Sequence, residues 1–370
     1  MYKVFRVEIT SRAHISAELD LPAQPYKLLD TLDKLRLEEG EVPRWELLES
    51  HDALHLFHHL DQGNGSLEEA NALAQRLADL DDTELAIVGG LADMEQKPLD
   101  QPFPLSRLID LAYSTDCCHL VKGVVTDAQL GRFFAENGFI SEVESLPDAA
   151  FELLDFERIG REHRQSEGGV FTCEGYVQRH DELEQVYKTL DLTLKKPDYV
   201  MLAERPDGGW VKLPLPVGAA VMDEPVQCVD CAVPTLTGQT AMLSNMDTLA
   251  QRLAELEMDG ELPKYKAVLE TVHCDDMTDA LLLAGALDQY SFSPKLLEPE
   301  DAAIEYLQTM LAEDEVERLV SYLDLRRYGG EVVEQRGGIL TPYGLLERED
   351  GQPVQSMNEQ PEQGGMEMKF

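Results

Sequence analysis

The stretch LDFERIGREHRQSEGGVFTCEGYVQRHD, Leu154 to Asp181, returns as LDLRRYGGEVVEQRGGILTPYGLLERED, Leu323 to Asp350. The two align without a gap. Leu154 matches Leu323, Asp155 Asp324, Arg158 Arg327, Gly160 Gly329, Glu162 Glu331, Gly168-Gly169 Gly337-Gly338, Thr172 Thr341 and Gly175 Gly344. Upstream, Leu73-Ala-Gln-Arg-Leu-Ala78 recurs letter for letter as Leu249-Ala-Gln-Arg-Leu-Ala254, in the same order relative to the first echo. Two echoes in one order read as a tandem duplication.

Working outward, Lys3 to Thr10 alternates with Phe5, Val7 and Ile9 on one face, and Ile15 to Leu21 alternates likewise, which predicts an antiparallel hairpin. Pro25 opens an amphipathic helix whose stripe, Leu28, Leu29, Leu32 and Leu35, suits the covering of that hairpin, and Trp45 to Leu48 reads as a third strand. After the turn-rich Asp61-Gln-Gly-Asn-Gly65, Ser66 and Glu69 form a capping box at the head of a helical section. Asp81 or Asp82 caps its next helix, Leu105 to Tyr113 repeats at helical spacing, and Thr126 with Gln129 caps another helix. A helix from Pro147 carries Phe151 and Leu154 and, with or without a break there, continues through Phe156 and Ile159 toward His163; Gly168-Gly169 then reads as the turn into strands 170–172 and 176–178, with a further strand around Val186-Tyr187. Lys195-Lys196-Pro197 is the joint between copies, because 199–203 and 211–215 around Pro206-Asp-Gly-Gly209 resemble the opening hairpin. The Leu-x-Leu-Pro of 19–22 returns at 213–216.

These signals divide the chain into a β-hairpin and helix domain (1–62), a helical domain (63–145) and a helix-plus-hairpin module (146–194). The second copy follows as a β domain (197–243), a helical domain (244–315) and a helix-plus-hairpin module (316–350). Residues 351–370, rich in Gln, Glu, Gly and Met, read as a disordered tail. The fold class expected is α+β, in two tandem units.

Of 370 residues, 43% are hydrophobic, enough for several small cores, yet 71 acidic against 31 basic residues leave a formal charge of −40. Self-repulsion on this scale opposes a compact fold, and solubility needs only a small part of it. Nucleic acid and anionic membranes are therefore excluded as partners, and a strongly basic surface is the natural one. No run approaches the ~18 apolar residues of a membrane helix. Six cysteines without regular spacing do not make a disulfide framework, so reduced thiols in a cytoplasmic protein are expected.

Hairpin sheet, helical middle, then L-D-F-E-R-I-G-R-E followed by G-G-V-F-T-x-x-G-Y-V: in this order the chain resembles the ArdA-type antirestriction proteins, most strongly from Ser66 to Val177. Asp155, Glu157, Gly160 and Glu162 stand where that family has its acidic Asp-Tyr-Glu-x-x-Gly-Arg-Asp-like stretch, with Phe156 in place of the tyrosine. The resemblance implies an elongated, non-enzymatic α+β protein of a mobile genetic element. Such a protein resembles bent B-form DNA and occupies the DNA groove of a type I restriction-modification enzyme. The family tends to pair as dimers, so the resemblance implies either a homodimer of this chain or, with two linked units replacing that pairing, an intramolecular pseudo-dimer. This chain departs from the family in carrying two units. Its second copy has Arg326 where Glu157 stands and Gly330 where Arg161 stands.

B-DNA carries one negative charge per ~1.7 Å of axis, so forty net charges equal the phosphates of roughly 20 base pairs. Carboxylates on rigid helices can meet the Lys and Arg that otherwise neutralise DNA, with no chemistry required. The candidates for the mimicking face are Glu68, Glu69, Asp79, Asp81, Asp82, Glu84, Glu142, Glu144, Asp148, Asp155, Glu157 and Glu162. Taken singly, each is equally well read as part of a solvated face; the summed field carries the argument.

Other constellations have plainer readings. Cys228-Val-Asp-Cys231 has the spacing of half a zinc site or a redox pair, but no second Cys-x-x-Cys exists, and buried strand cysteines account for it. His55 and His59 could bind a metal from one helix face, yet the Glu of a zincin is missing. Cys117-Cys118-His119 places a thiol beside a base, but adjacent side chains rarely meet correctly, and the second copy has Gln289, Tyr290 and Ser291 there. No catalytic residue, metal or cofactor is expected. The alternative function is an acidic, non-catalytic binding or scaffold protein of a mobile element.

Overall fold

The computed structural model describes residues 3–38, 40–50, 65–96, 103–143, 145–219, 222–274 and 276–354. The alternating segments form strands β1 (Phe5–Thr10) and β2 (Ser16–Leu21), and β3 (Arg44–Ser50) joins them in an antiparallel sheet of order β2-β1-β3. Phe5, Val7, Ile9, Leu19, Leu21, Trp45 and Leu47 are its buried residues, as period-two patterning requires. Helix α1 (Pro25–Leu35) intervenes in sequence between β2 and β3. The helical section comprises α2 (Leu67–Ala78), α3 (Asp82–Gln96) and α4 (Leu105–Ala112). Strand β4 (Cys118–Lys122) and helices α5 (Asp127–Glu136), α6 (Asp148–Phe151) and α7 (Phe156–Glu167) follow. Strands β5 (Val170–Phe171) and β6 (Gly175–Arg179) complete a second sheet of order β4-β6-β5.

The rest of the chain follows a similar order, without a helix between its second and third strands and with an added edge strand. Strands β7 (Met201–Glu204), β8 (Trp210–Leu213), β9 (Pro225–Cys231) and β10 (Thr240–Met242) form a sheet of order β10-β9-β7-β8. Helices α8 (Leu243–Met258), α9 (Leu262–Val272) and α10 (Met277–Ala284) correspond in order to α2, α3 and α4. Strand β11 (Tyr290–Ser293), helices α11 (Pro299–Gln308), α12 (Glu313–Val320) and α13 (Leu325–Gln335), and strands β12 (Ile339–Thr341) and β13 (Gly344–Arg348) end the series. The last sheet has order β11-β13-β12, the counterpart of β4-β6-β5. The described residues thus make a mixed α+β protein with four small antiparallel sheets. Among them no helix is long and apolar enough to cross a membrane.

The repeated residues serve one architecture in both places. Asp155 and Asp324 are N-caps of α7 and α13, each accepting from the backbone N–H three residues on at 3.1 Å. Thr172 and Thr341 close the β-hairpins, each hydroxyl lying 3.0 and 2.7 Å from the carbonyl of Gly175 and Gly344. Arg76 and Arg252 of the six-letter echo donate through Nε to Ala112 and Ala284, the carbonyls that end α4 and α10. Gly160 and Gly329 sit where two helices nearly touch: a Cβ there would lie 1.8 Å from the Asp127 carbonyl oxygen and 1.7 Å from that of Pro299.

Four local expectations are corrected. Gly168 ends α7 in the left-handed conformation (φ +73°), so Gly168-Gly169 caps a helix and the hairpin turn lies at 172–175. Val186-Tyr187 forms no strand, because Tyr187 is held to the helical section by its N–H on Asp110 (2.8 Å) and its hydroxyl on Glu69. The proline echo shifts by two: Val4 N–H donates to Leu21 and Val200 N–H to Leu213, so 19–22 corresponds to 211–214. Val354 is buried in a core, three residues past the expected start of the tail, and 355–370 lie outside the described residues.

By contacts the chain groups into two units, Met1–Ala23 with Leu35–Leu194, and Gln24–Lys34 with Lys195–Phe370. Helix α1 thus belongs with the second unit, and polar side chains explain why. Asp230, 1% exposed on β9, accepts from the N–H of Tyr26 in the first turn of α1 and from the Tyr199 hydroxyl (2.8 Å). Asp30, 3% exposed, takes Lys266 at 2.6 Å and lies 2.9 Å from the Tyr343 hydroxyl. Tyr26 and Leu29 join a core with Met201, Val211, Leu249 and Val268.

Candidate acidic interaction surface

The charge divides almost evenly. Residues 1–194 hold 38 acidic and 17 basic residues, net −21, and residues 195–370 hold 33 and 14, net −19. All twelve expected carboxylates lie in the first of these segments. Asp79, Asp81, Asp82, Glu142, Asp148, Asp155, Glu157 and Glu162 are exposed, Glu68, Glu69 and Glu84 are half-buried, and Glu144 lies outside the described residues.

Several of the twelve also hold local structure. Ser66 and Glu69 cap α2 reciprocally: the Ser66 N–H donates to Glu69 (2.7 Å), and the Glu69 N–H donates to the Ser66 hydroxyl. The second oxygen of Glu69 accepts from Tyr187, so this carboxylate has little left to offer a partner. Asp81 and Glu84 make the same exchange at the head of α3, at 2.8 and 2.9 Å. Capping fixes these carboxylates at helix N-termini, where the backbone dipole favours negative charge. Asp79, the C-cap residue of α2, stands at the unfavourable end of its helix.

Helix α7, which carries the echo, is nearly neutral. Residues 155–167 contain four acidic and three basic residues, and residues 324–336 contain three of each. Glu157 pairs with Arg161, Arg158 lies 3.7 Å from Glu162, and Arg327 lies 3.2 Å from Glu331. Asp127 receives a two-pronged contact from Arg164, at 2.7 and 3.1 Å, which holds its carboxyl below the usual range. The acidic excess sits elsewhere: residues 66–84 hold six acidic residues and one basic. Sequence reasoning missed the densest exposed group, Glu313, Asp314, Glu315 and Glu317 of α12. The signal in the sequence is four acids in five positions, 313–317.

The remaining motifs resolve into packing. Cys228 and Cys231 are 1% and 0% exposed in the core of the second unit, where contact with each other and burial push the Cys228 thiol far up. Burial pushes Cys118 to about 11 and also raises Cys117, the wrong direction for a nucleophile. His119 stacks on His180 with ring centres 4.1 Å apart. The His55 and His59 pair lies outside the described residues. Among the described residues no group of three or more His, Cys, Asp or Glu could hold a metal ion.

Fold and surface together define a class: a mixed α+β protein whose charge excess sits on short surface helices and loops. Comparison with models of known protein families and with curated protein sequences gave no match.

Proposed function

We propose that this is a non-enzymatic antirestriction protein made of two tandem ArdA-like units, a cytoplasmic DNA mimic of mobile-element origin. It binds the DNA-binding groove of a type I restriction-modification enzyme and blocks DNA access. The observation that supports this reading best is the even division of charge, −21 and −19, with many of the carboxylates on the exposed faces of short helices. Held at fixed positions, such carboxylates meet the basic groove without first being ordered, and both surfaces release ions on contact. Two linked units also raise each other's effective concentration at a target with two DNA-contacting surfaces.

The test is a titration of purified protein into a type I restriction-modification enzyme bound to labelled DNA, at ~50 and ~200 mM salt. Stoichiometric displacement that weakens steeply at the higher salt is the expected result. Absence of displacement across several such enzymes would falsify the antirestriction reading. The near neutrality of α7 and α13 favours a second reading, an acidic scaffold protein whose partner is held by apolar contacts. Binding that is indifferent to salt would select it.

A further inference from the structure

Resting on the reading that the partner is a basic protein, we infer that α12 and the turn after it dock a cationic amphipathic helix of that partner. Val316 anchors α12 in its unit at 3% exposure, yet the apolar side chains that follow point outward. Leu319 is 39% exposed, Tyr322 85% and Leu323 41%. Leu319 lies in the last turn of α12, and Tyr322 and Leu323 lie in the turn that follows it. Leaving three apolar side chains within five residues in water is unfavourable unless something covers them.

The rim says what covers them. Residues 313–324 hold five acidic residues and one basic, net −4, and the one base, Arg318, is paired with Asp314 at 3.0 Å. Nucleic acid or anionic lipid would be repelled by this rim, and a second copy docked through the same patch would set an equal acidic rim against it. A helix with Lys or Arg flanking an apolar stripe satisfies both the apolar centre and the acidic rim. The equivalent turn of the first unit is built differently. Helix α6 has only four residues, Glu152 is tied to Arg132 at 2.7 Å, and Leu153 is 85% exposed. The added first turn of α12, with Glu313, Asp314 and Glu315, is particular to the second unit, and Leu319 stands where the first unit has Ala150.

The test uses the full chain and two labelled synthetic helices of equal positive charge, one with Leu at every third and fourth position and one with Ser there. The wild type should bind the Leu helix about tenfold tighter than the Ser helix at ~300 mM salt, where exposed ion pairs are largely screened. Tyr322→Ser/Leu323→Ser should bring the two helices within about twofold of each other. That variant should keep its affinity for the Ser helix, and Leu153→Ser should keep the tenfold preference. No preference in the wild type, or one that survives Tyr322→Ser/Leu323→Ser, overturns the proposal. So does sedimentation showing a self-associated wild type that the double substitution dissociates, since a second copy would then cover the face. None of these readings depends on displacing DNA from a restriction enzyme, so failure here and failure of the antirestriction reading are separable.

Discussion

Gly329 and Gly330 are neighbours on α13 with opposite constraints. A Cβ on Gly329 meets the Pro299 carbonyl, whereas one on Gly330 meets nothing within 4 Å. Gly329→Ala should therefore cost roughly 2–4 kcal/mol in urea denaturation, with Gly160→Ala behaving alike, because backbone would have to move. Gly330→Ala should be neutral or stabilising by up to about 1 kcal/mol, since Ala is the better helix former. Asp155 separates two roles that one residue can combine. Asparagine caps as well as aspartate, so Asp155→Asn should keep the melting temperature while Asp155→Ala loses about 1 kcal/mol of stability. If the charge matters to the partner, both should weaken competition equally. Asp127, with its carboxyl held low first by the Arg164 hydrogen bond, contributes stability above the ordinary carboxylate pKa that is lost as pH falls through the lowered folded value. Asp127→Asn should therefore cost about 1 kcal/mol from pH ~7 to ~5, with the difference from wild type shrinking below pH ~4. The second copy has Pro299 and the buried Val333 at the positions of Asp127 and Arg164, so the corresponding packing there should not share this pH dependence.

At the scale of elements, α1 depends on buried charge. Lys266 is 11% exposed against an almost fully buried Asp30, and burial together with Asp30 keeps the Tyr343 phenol protonated as a donor. Lys266→Met should destabilise the protein by roughly 3 kcal/mol, because Asp30 is left without its closest cation. Asp30→Asn/Lys266→Met should recover part of that loss, a coupling that a double-mutant cycle in urea measures directly. If the double variant is as unstable as the sum of the singles, Asp30 and Lys266 do not act as a pair. The same helix shows how far the sequence could be read. Its existence, start and apolar stripe were legible because period and proline are local signals. Its grouping was not, because a leucine stripe carries no address, and the residues that fix it, Asp230, Lys266 and Tyr343, lie 200 or more positions away. The repeat was the opposite case: Asp155 with Asp324, Thr172 with Thr341 and Gly160 with Gly329 stood out because caps, turns and close helix crossings tolerate few residue types. Strand β10 has no signature in the sequence because three residues at a sheet edge carry almost no periodicity.

For the whole molecule, what the sequence could supply about the site was its total charge, and what it could not supply was which charges are neutralised nearby. Asp155, Glu157 and Glu162 drew attention through the repeated motif, yet Arg158 and Arg161 sit beside two of them, and the unpaired excess falls on residues 66–84 and on α12. If both units contact the target groove, neutralising either of two separate sets should lower the salt dependence of competition. One set is Asp79→Asn/Asp82→Asn/Glu84→Gln, and the other is Glu313→Gln/Glu315→Gln/Glu317→Gln. Each carboxylate that meets a basic side chain should reduce the slope of log affinity against log salt by about one unit or less. Neutralising Glu157 and Glu162 should reduce it by much less, because their neighbouring arginines already offset them. Slopes measured between ~50 and ~200 mM would decide between two contacting units and one. A change confined to the first set would make the second unit a spectator of the charge-driven contact. Equal changes from both sets would mean that the target reads the field of two units, as it would read two stretches of DNA.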